Sequence, residues 1–524
     1  MRSLVLPAAP LLLASGAFSF PGPAHLTPGI HFAPDHVGEA GGWHDIAGSM
    51  THKGVHHIYM GTGWNHHLSS DLVNWEMGAP GPQALEETYA GMYSNTDPCS
   101  GFLTKDPDDN NRVCAGFRQC GSDQGVSGMN PWDVPMEMRC ALDDDLSSWA
   151  TLDTSPAIDY LFNVSWYRSI PYDPARPWWD PIDNQHYLLM YTSPALRGPK
   201  MDWKYVGDVF TSNSTVLQDG FLSKEFVTID FLGSFDNDPD PSKRTLVMLN
   251  NVGGNGGGDG CCSGTTSYFA LNQEGPGEPF TETGGGQDMV DWGSFTPKAD
   301  STAVGLDRLD GTASRGFSMA RTLGSEEPNQ VFAPGRRVLI GWTGPDDADV
   351  FQGVGSAQSL PRELDLASDK SLTQRFVPEL QTLREKHQST SDASPEMDVG
   401  GLQAEVYAVF PETCGATADC SLSLLSDGKA ATTITLNSDI GLVTVDATSQ
   451  GNTAVRAGPM PPPKEDGGGY AIHAIVDRSI LEIIVNNRTA FVVYAAPDET
   501  ATGVAGTGVS KVDVWALKDA QNVI

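Results

Sequence analysis

Apolar and polar residues alternate with period two through the last quarter of this chain. The runs LQAEVYAVF, CSLSLL, TTITL, GLVTVDA, YAIHAIVD, SILEIIV, TAFVVYA and KVDVWAL follow one another there. Such alternation puts every second side chain on one face of an extended strand, and eight runs suffice for two packed antiparallel sheets. Upstream, shorter runs of β-branched and aromatic residues recur between Gly, Asp, Asn and Pro. They are VHHIYM from Val55, RVCAGF from Arg112, HYLLMYTS from His186, RTLVML from Arg244, SYFAL from Ser267 and RRVLIGW from Arg336. Long amphipathic helical patterns are absent. A short internal repeat, Ser-Asp-Leu-Val-Asn-Trp ending at Trp75 and Asp-Asp-Leu-Ser-Ser-Trp ending at Trp149, suggests radial repetition of small strand groups, as in a propeller. The polar stretch KHQSTSDASPEMDVGG from Lys386 reads as a connector. The chain is therefore expected to be all-β, with a larger domain over residues 20–376, a connector over 377–397 and a β-sandwich over 398–524.

Composition narrows the surroundings. Against 66 acidic residues stand 32 basic ones, a net charge of −34 that repels phosphate backbones and anionic lipid. Nucleic acid and membrane surfaces are thus excluded as expected partners. The 57 Gly and 36 Pro suit a turn-rich fold, and the 12 Trp and 13 Tyr suit aromatic contact surfaces. Residues 1–19 combine Arg2, an apolar run from Leu4 to Ala14 and small residues after it. The run is too short to span a bilayer and reads as a secretory signal removed near Gly16 or Ser19. The expected destination is outside the cell or in a vacuole. Eight cysteines fit an oxidising compartment, and Cys414 and Cys420, bracketing the polar turn GATAD, are the expected disulfide. Asn163, Asn213 and Asn487 begin N-glycosylation sequons.

Several patterns that could carry chemistry do not hold together. Nine of the twelve histidines lie between His25 and His67, but His56 and His57 would point to opposite faces of a strand and no His-Glu-x-x-His is present. No metal and no cofactor is expected. DNDPDP from Asp236 begins like a calcium loop, then places Pro241 where Gly is needed and Val247 where a bidentate Glu is needed. GGNGGGDGCC from Gly253 lacks the last glycine of a dinucleotide loop and no helix follows. No Gly-x-Ser-x-Gly elbow occurs. Carboxylates among aromatic and glycine residues remain: Asp45 in GGWHDIAG, Asp173 in YDPARPWW and Glu225 in LSKEFVTIDF. Two carboxyl groups flanking a glycosidic bond can cleave it. By composition alone, each of these acids reads equally as a turn or surface residue.

Taken in order, a series of motifs resembles glycoside hydrolase family 32, the invertases and fructan hydrolases, over nearly all of the mature chain. HFAP from His31 with GWHDIAG is similar to H-F-x-P…G-W-M-N-D-P-N-G, and WNHHLSSDLVNW from Trp64 to W-G-H-A-x-S-x-D-L-V-H-W. Ser100-Gly101 looks like the family's S-G-S. FSMARTL from Phe317, GRRVLIGW from Gly335, QSLPREL from Gln358 and VPELQTLR from Val377 follow. IVDRSILEIIVNNRT from Ile475 resembles V-D-x-S-x-V-E-x-F.

The resemblance implies a five-bladed β-propeller followed by a C-terminal β-sandwich, and a retaining mechanism. On that basis Asp45 is the nucleophile, Glu225 the acid/base and Asp173 the stabiliser of the charged transition state. His44, Trp64, Ser100 and Tyr172 are candidate sugar contacts, with Asp230 a fallback acid. The implied ligand is sucrose or a fructan. Asp477 and Glu482 read as structural, with a secondary role at the cleft rim open. Ile46 and Ala47 stand where the family has Pro and Asn, Gly61 where it has Gln, and Tyr172 where it has Arg. Hydrolysis, transfer of the fructosyl group and binding without turnover all remain open at this point.

Overall fold

The period-two runs all fold as strands in a computed structural model of the chain. It describes residues 23–33, 46–60, 64–79, 81, 97–120, 136–151, 178–180, 185–188, 191–195, 202, 204–205, 226–234, 244–252, 266–273, 278–279, 281–292, 296–297, 309–310, 318–322, 336–344, 354, 357–414, 420–452, 455–464 and 468–522. Four consecutive strands make each of the first four sheets. Blade 1 is β1 (Ile46–His52), β2 (Val55–Met60), β3 (Asn65–Ser69) and β4 (Glu76–Met77). Blade 2 is β5 (Asp97–Asp106), β6 (Arg112–Cys120), β7 (Met136–Ala141) and β8 (Trp149–Thr151). Blade 3 is β9 (Trp178–Asp180), β10 (Gln185–Leu188), β11 (Tyr191–Ser193) and β12 (Lys204–Tyr205). Blade 4 is β13 (Phe226–Ser234), β14 (Arg244–Val252), β15 (Thr266–Gln273) and β16 (Thr281–Met289). A short pair, β17 (Thr296–Pro297) and β18 (Leu309–Asp310), precedes blade 5, which is β19 (Ser318–Thr322), β20 (Arg337–Thr343), β21 (Ala357–Gln358), β22 (Arg362–Leu366) and β23 (Leu372–Phe376).

The sequence repeat marks equivalent places in two blades. Both copies form the turn from third to fourth strand, with Leu72 (φ 64°) and Leu146 (φ 55°) in the left-handed region and fully buried. A branched side chain adopts that backbone only when surroundings compensate. Here aspartates do so: Asp71 Oδ1 accepts from the amides of Val73 (2.9 Å) and Asn74 (2.8 Å), and Asp143 Oδ1 from that of Ser147 (2.8 Å). The ring closes where β1 touches both β5 of blade 2 and β19 of blade 5. The N-terminal segment reinforces the closure, since the Phe32 carbonyl accepts from Gln358 N of β21 at 2.8 Å.

Two six-stranded sheets form the sandwich. One is ordered β24 (Arg384–Thr390), β35 (Lys511–Leu517), β26 (Gln403–Phe410), β31 (Tyr470–Asp477), β32 (Ile480–Val485), β33 (Thr489–Tyr494). The other is ordered β25 (Glu396–Asp398), β34 (Gly503–Thr507), β27 (Cys420–Ser426), β28 (Thr432–Asn437), β29 (Leu442–Asp446), β30 (Arg456–Pro459). Their facing sides enclose Val406, Phe410, Leu422, Ile434, Ile483 and Val514. Cys414 and Cys420 are bonded, and so are Cys114 and Cys140 of β6 and β7. One correction concerns the connector. Its residues 384–390 are the edge strand β24, paired with β35, and 396–397 open β25, paired with β34. The stretch is polar because β24 has one neighbour and faces water, so its side chains are mostly exposed.

By contrast, β32 and β33 are buried at every position. Their inner residues face the second sheet, and Ile480, Ile484, Val492 and Tyr494 face the propeller among Leu339, Ile340, Leu364 and Leu372. Trp292, just beyond β16, crosses the seam in the other direction: it packs in the sandwich core and donates its backbone amide to Ala490 O at 2.9 Å. Gly458 makes room, since a Cβ there would lie 2.8 Å from the indole.

At the centre of this seam sits a fully buried ionic network. Glu482, the only charge in its run, accepts from Arg362 Nε (2.9 Å) and Nη2 (2.6 Å), from Leu360 N (2.5 Å) and from His31 Nε2 (3.2 Å). Asp477 accepts from His31 Nδ1 (2.9 Å) and from the amides of Gly29, Ile30 and His31 (each 2.8 Å). Arg362 also reaches Asp291 Oδ2 (3.2 Å) and Gln374 Oε1 (3.0 Å). Burial opposes every one of these charges, yet the contacts prevail for most. Asp477 and Glu482 are held below the usual carboxylate range, and His31 is lifted from 6.5 to about 9 by its two carboxylates. Asp291 differs: burial outweighs Arg362 and Arg456 and pushes it up to about 6.

Two outcomes follow. Arg362→Ala strands Glu482 and Asp291 without their guanidinium, and the urea unfolding midpoint should reveal a loss of about 3–5 kcal/mol. The second concerns pH. Because folding raises the His31 pKa, its contribution is complete below pH 6.5 and disappears as pH climbs through about 9. Unfolding free energy should drop by up to about 3 kcal/mol across that window, and His31→Gln should flatten the decline. An equally steep decline in the variant would place its origin elsewhere.

Candidate active site

In a propeller the first strand of each blade lines the central channel, and all first strands run in the same direction. Contacts among β1, β5, β13 and β19 place them at that inner edge. Their starting ends therefore gather at one mouth of the channel. The same ends are irregular. Register shifts occur at Ile46/Gly48 in β1, Pro98/Gly101 in β5, Phe226/Thr228 in β13 and Ser318/Arg321 in β19. A β-bulge bends its strand and re-aims the neighbouring side chains, and bulges are enriched beside active sites. Four inner strands disrupted at one mouth, while their far ends pair regularly in β1 and β5, mark that mouth as the candidate site.

His44, Asp45, Tyr172, Asp173 and Glu225 lie outside the described residues. In the chain, Asp45 immediately precedes Ile46, the first residue of β1, and Glu225 immediately precedes Phe226, the first residue of β13. Asp173 lies five residues ahead of Trp178, which opens β9. Ser100 belongs to β5, within its bulged start. Asp230 is five residues along β13 from Glu225, a chain distance of about 16 Å in extended backbone.

The structure assigns Trp64 a place that differs from an open sugar contact. Its indole is 0 % exposed and packs 5.5 Å from Tyr59 and 5.6 Å, edge-on, from Phe117. Gly48 of β1 admits it, since a Cβ there would sit 3.2 Å from both the indole and Leu103. This ring is a packed wall between blades 1 and 2. Sequence alone does not show which aromatic faces are already covered, and this one is.

The histidines of blade 1 are likewise packing groups. His66 Nδ1 bonds the Ala79 carbonyl at 3.1 Å and so carries the proton there, which leaves Nε2 to accept from His57 Nδ1 at 2.9 Å. His66 also stacks on Tyr59 at 4.3 Å. Burial lowers His57 to about 3 and His66 to about 4, so both are neutral near pH 7. Among the described residues no group of three or more His, Cys, Asp and Glu is arranged to hold a metal ion.

A cleft of about 620 Å³ lies at the other end of blades 1 and 2, lined by His52, Lys53, Lys105, Arg112 and Asp144 among others. These residues sit where β1 and β5 finish and turn. A seven-residue strand separates His52 from the start of β1, about 20 Å away. The cleft thus lies at the finishing ends of β1 and β5, away from the bulged mouth whose strands Asp45 and Glu225 precede in the chain.

Comparison with known proteins bears on what such a mouth is for. Residues 379–516 match the family model described as glycosyl hydrolases family 32 C terminal. The matched stretch spans the sandwich and begins just before β24. No curated protein sequence matches the chain. Solved structures share its whole fold. Exo-inulinase from Aspergillus awamori aligns at 18% identity over 96% of this chain and 100% of that one, with a TM-score of 0.69. Fructan 1-exohydrolase IIa from Cichorium intybus, solved with 1-kestose, aligns at 17% identity over 95% and 99%, TM-score 0.68. A β-fructofuranosidase from Bombyx mori aligns at 17% identity over 95% of each chain, TM-score 0.64. Asp477 and Glu482 both fall inside the matched region, and their carboxylates are taken up by the buried seam network.

The bulge in β5 provides a test of the site's framework. Gly101 follows Ser100, and a Cβ at 101 would fall on the Gly116 carbonyl of β6. Gly101→Ala should cost roughly 1–3 kcal/mol in thermal or urea unfolding. Gly401→Ala, where a Cβ would meet nothing within 4 Å, should be silent.

Proposed function

We propose that this protein is a retaining β-fructofuranosidase that releases fructose from sucrose or from the ends of fructans. One observation carries the reading: a family 32 C-terminal domain is joined to a five-bladed propeller in which Asp45 and Glu225 directly precede the inner strands of blades 1 and 4, at the bulged mouth. Asp45 attacks the anomeric carbon of a fructosyl unit while Glu225 gives its proton to the departing oxygen. Water, deprotonated by Glu225, then displaces Asp45 and frees fructose with retained configuration. Such a pair works at about 5–5.5 Å separation. Asp173 stabilises the positive charge that develops on the ring and holds fructose hydroxyls. The bulged mouth supports Glu225 over Asp230 as acid, since Asp230 lies further down the channel.

A second reading within the same chemistry is fructosyl transfer, in which a sugar hydroxyl replaces water. A fructosyltransferase from A. japonicus shares the fold at 14% identity and a TM-score of 0.66. Tyr172 and Gly61, in place of Arg and Gln, favour a third, binding with little turnover, because a bidentate donor is lost. Residues 1–19 are read as a secretory leader, which sends the enzyme to the cell exterior or a vacuole.

Incubating purified protein with sucrose and with inulin, beside Asp45→Asn, separates these readings. Free fructose, abolished in the variant, is expected. Longer oligosaccharides in place of fructose would mean transfer, and binding without any product would leave a fructan-binding protein. Glu225→Gln should lower the rate at least roughly 100-fold with the fold intact, and wild-type activity should fall on the alkaline side as Glu225 loses its proton.

A further inference from the structure

Of the sequons, those at Asn163 and Asn213 lie outside the described residues. The third, Asn487-Arg488-Thr489, closes the hairpin between β32 and β33. Asn486 (φ 46°) and Asn487 (φ 57°) both take the left-handed backbone that Asn tolerates better than most residues. Their side chains are used differently. The Asn486 amide is built into the fold: Oδ1 accepts from Ala471 N at 2.7 Å and Nδ2 donates to Pro462 O at 2.8 Å. Asn487 is exposed, and its side chain makes no hydrogen bond to any described residue. Thr489 is buried, its hydroxyl donating to Pro459 O at 2.7 Å.

The hairpin is clamped to the propeller. Gln374 N donates to Asn487 O at 2.6 Å, and Arg488 Nη1 reaches Asp369 Oδ2 at 2.8 Å and also Ser371 Oγ. Asp369 and Ser371 lie in the β22–β23 turn. Following the antiparallel register from β19 through β20 to β22 puts that turn at the far end of blade 5, away from the bulged mouth.

We propose that Asn487 carries an N-linked glycan at this seam, on the side of the molecule remote from the candidate active site. In its formation Nδ2 attacks C1 of the first sugar of a lipid-diphosphate-linked oligosaccharide. The N–C1 bond forms, the bond from C1 to the diphosphate oxygen breaks, Nδ2 loses one proton and the lipid diphosphate leaves. The donor and its transferase belong to the secretory pathway. A transferase must read the Thr489 hydroxyl, and folding commits that hydroxyl to Pro459, so attachment precedes closure of the hairpin. The folded protein then accepts the product without rearrangement, because the Asn487 amide already stands in solvent while the structural work falls to Asn486. A sugar there covers the turn next to edge strand β33 and leaves the mouth of the channel open.

The inference rests on the secretory reading of residues 1–19, and the test separates the two. The full chain is expressed in a eukaryotic secretory host twice, with its own first 19 residues and with an unrelated secretion leader in their place. Protein from the medium is digested and the peptide containing Asn487 weighed before and after peptide-N-glycosidase treatment in heavy-oxygen water. The expected result is a hexose-bearing Asn487 that becomes heavy-labelled Asp on treatment. Thr489→Ser, which keeps both the sequon and the hydroxyl, should remain modified. Asn487→Gln should lose the glycan and keep its fructose-releasing rate. An unmodified Asn487 in secreted protein from either version overturns the proposal. Secretion and modification with the unrelated leader alone would support it and reject only the reading of the first 19 residues.

Discussion

The carboxylates of Asp477 and Glu482 bind two separate parts of the chain to one another. They sit on adjacent sandwich strands, yet their partners are His31 with the amides beside it near the start of the chain, and Arg362 in the last propeller blade. Once buried, each carboxylate needs several donors, because an uncompensated charge in the interior costs several kcal/mol. Those donors exist together only when the N-terminal segment, blade 5 and the sandwich are all docked. The network thus couples ring closure to domain docking. Hydrophobic contact supplies the bulk of the seam, and the charges define its register, since sliding either surface would separate His31 or Arg362 from its acid.

The propeller mouth depends on that closure. Phe32, the residue after the last amide bound by Asp477, pairs with Gln358 of blade 5, and β1 then lies between β5 and β19. With the ring shut, bulges in four inner strands fall at one mouth. A bulge sacrifices ladder hydrogen bonds for altered side-chain direction, so all four of these strands are irregular where chemistry is proposed, while β1 and β5 pair regularly at their opposite ends. The packed Trp64, Tyr59 and His66 stack makes the wall behind blade 1 rigid without contributing charge, because burial keeps the imidazole neutral.

Much of this was legible from residue order. Alternation in β26 through β35 identified the sandwich strands, and the Asp-x-x-x-Trp repeat proved to be the same turn in two blades. Polarity misled at β24, where an edge strand facing water looks like a linker. Trp64 marks another limit, since an indole suited to a sugar is equally suited to a core and burial shows only in the folded chain. Asp477 and Glu482 could be read as structural acids, but nothing in their spacing revealed that His31, some 450 positions earlier, lies between them.

The sequence by itself determined the strands and the two-part all-β organisation, because period-two patterning and turn residues act over a few neighbours. Tertiary structure decided which strand ends share a mouth, which aromatic faces are covered, which of two adjacent asparagines stays in solvent and which charges are paired. Those outcomes depend on direction and burial, and both arise only when segments distant in the chain are brought together around one channel and across one seam.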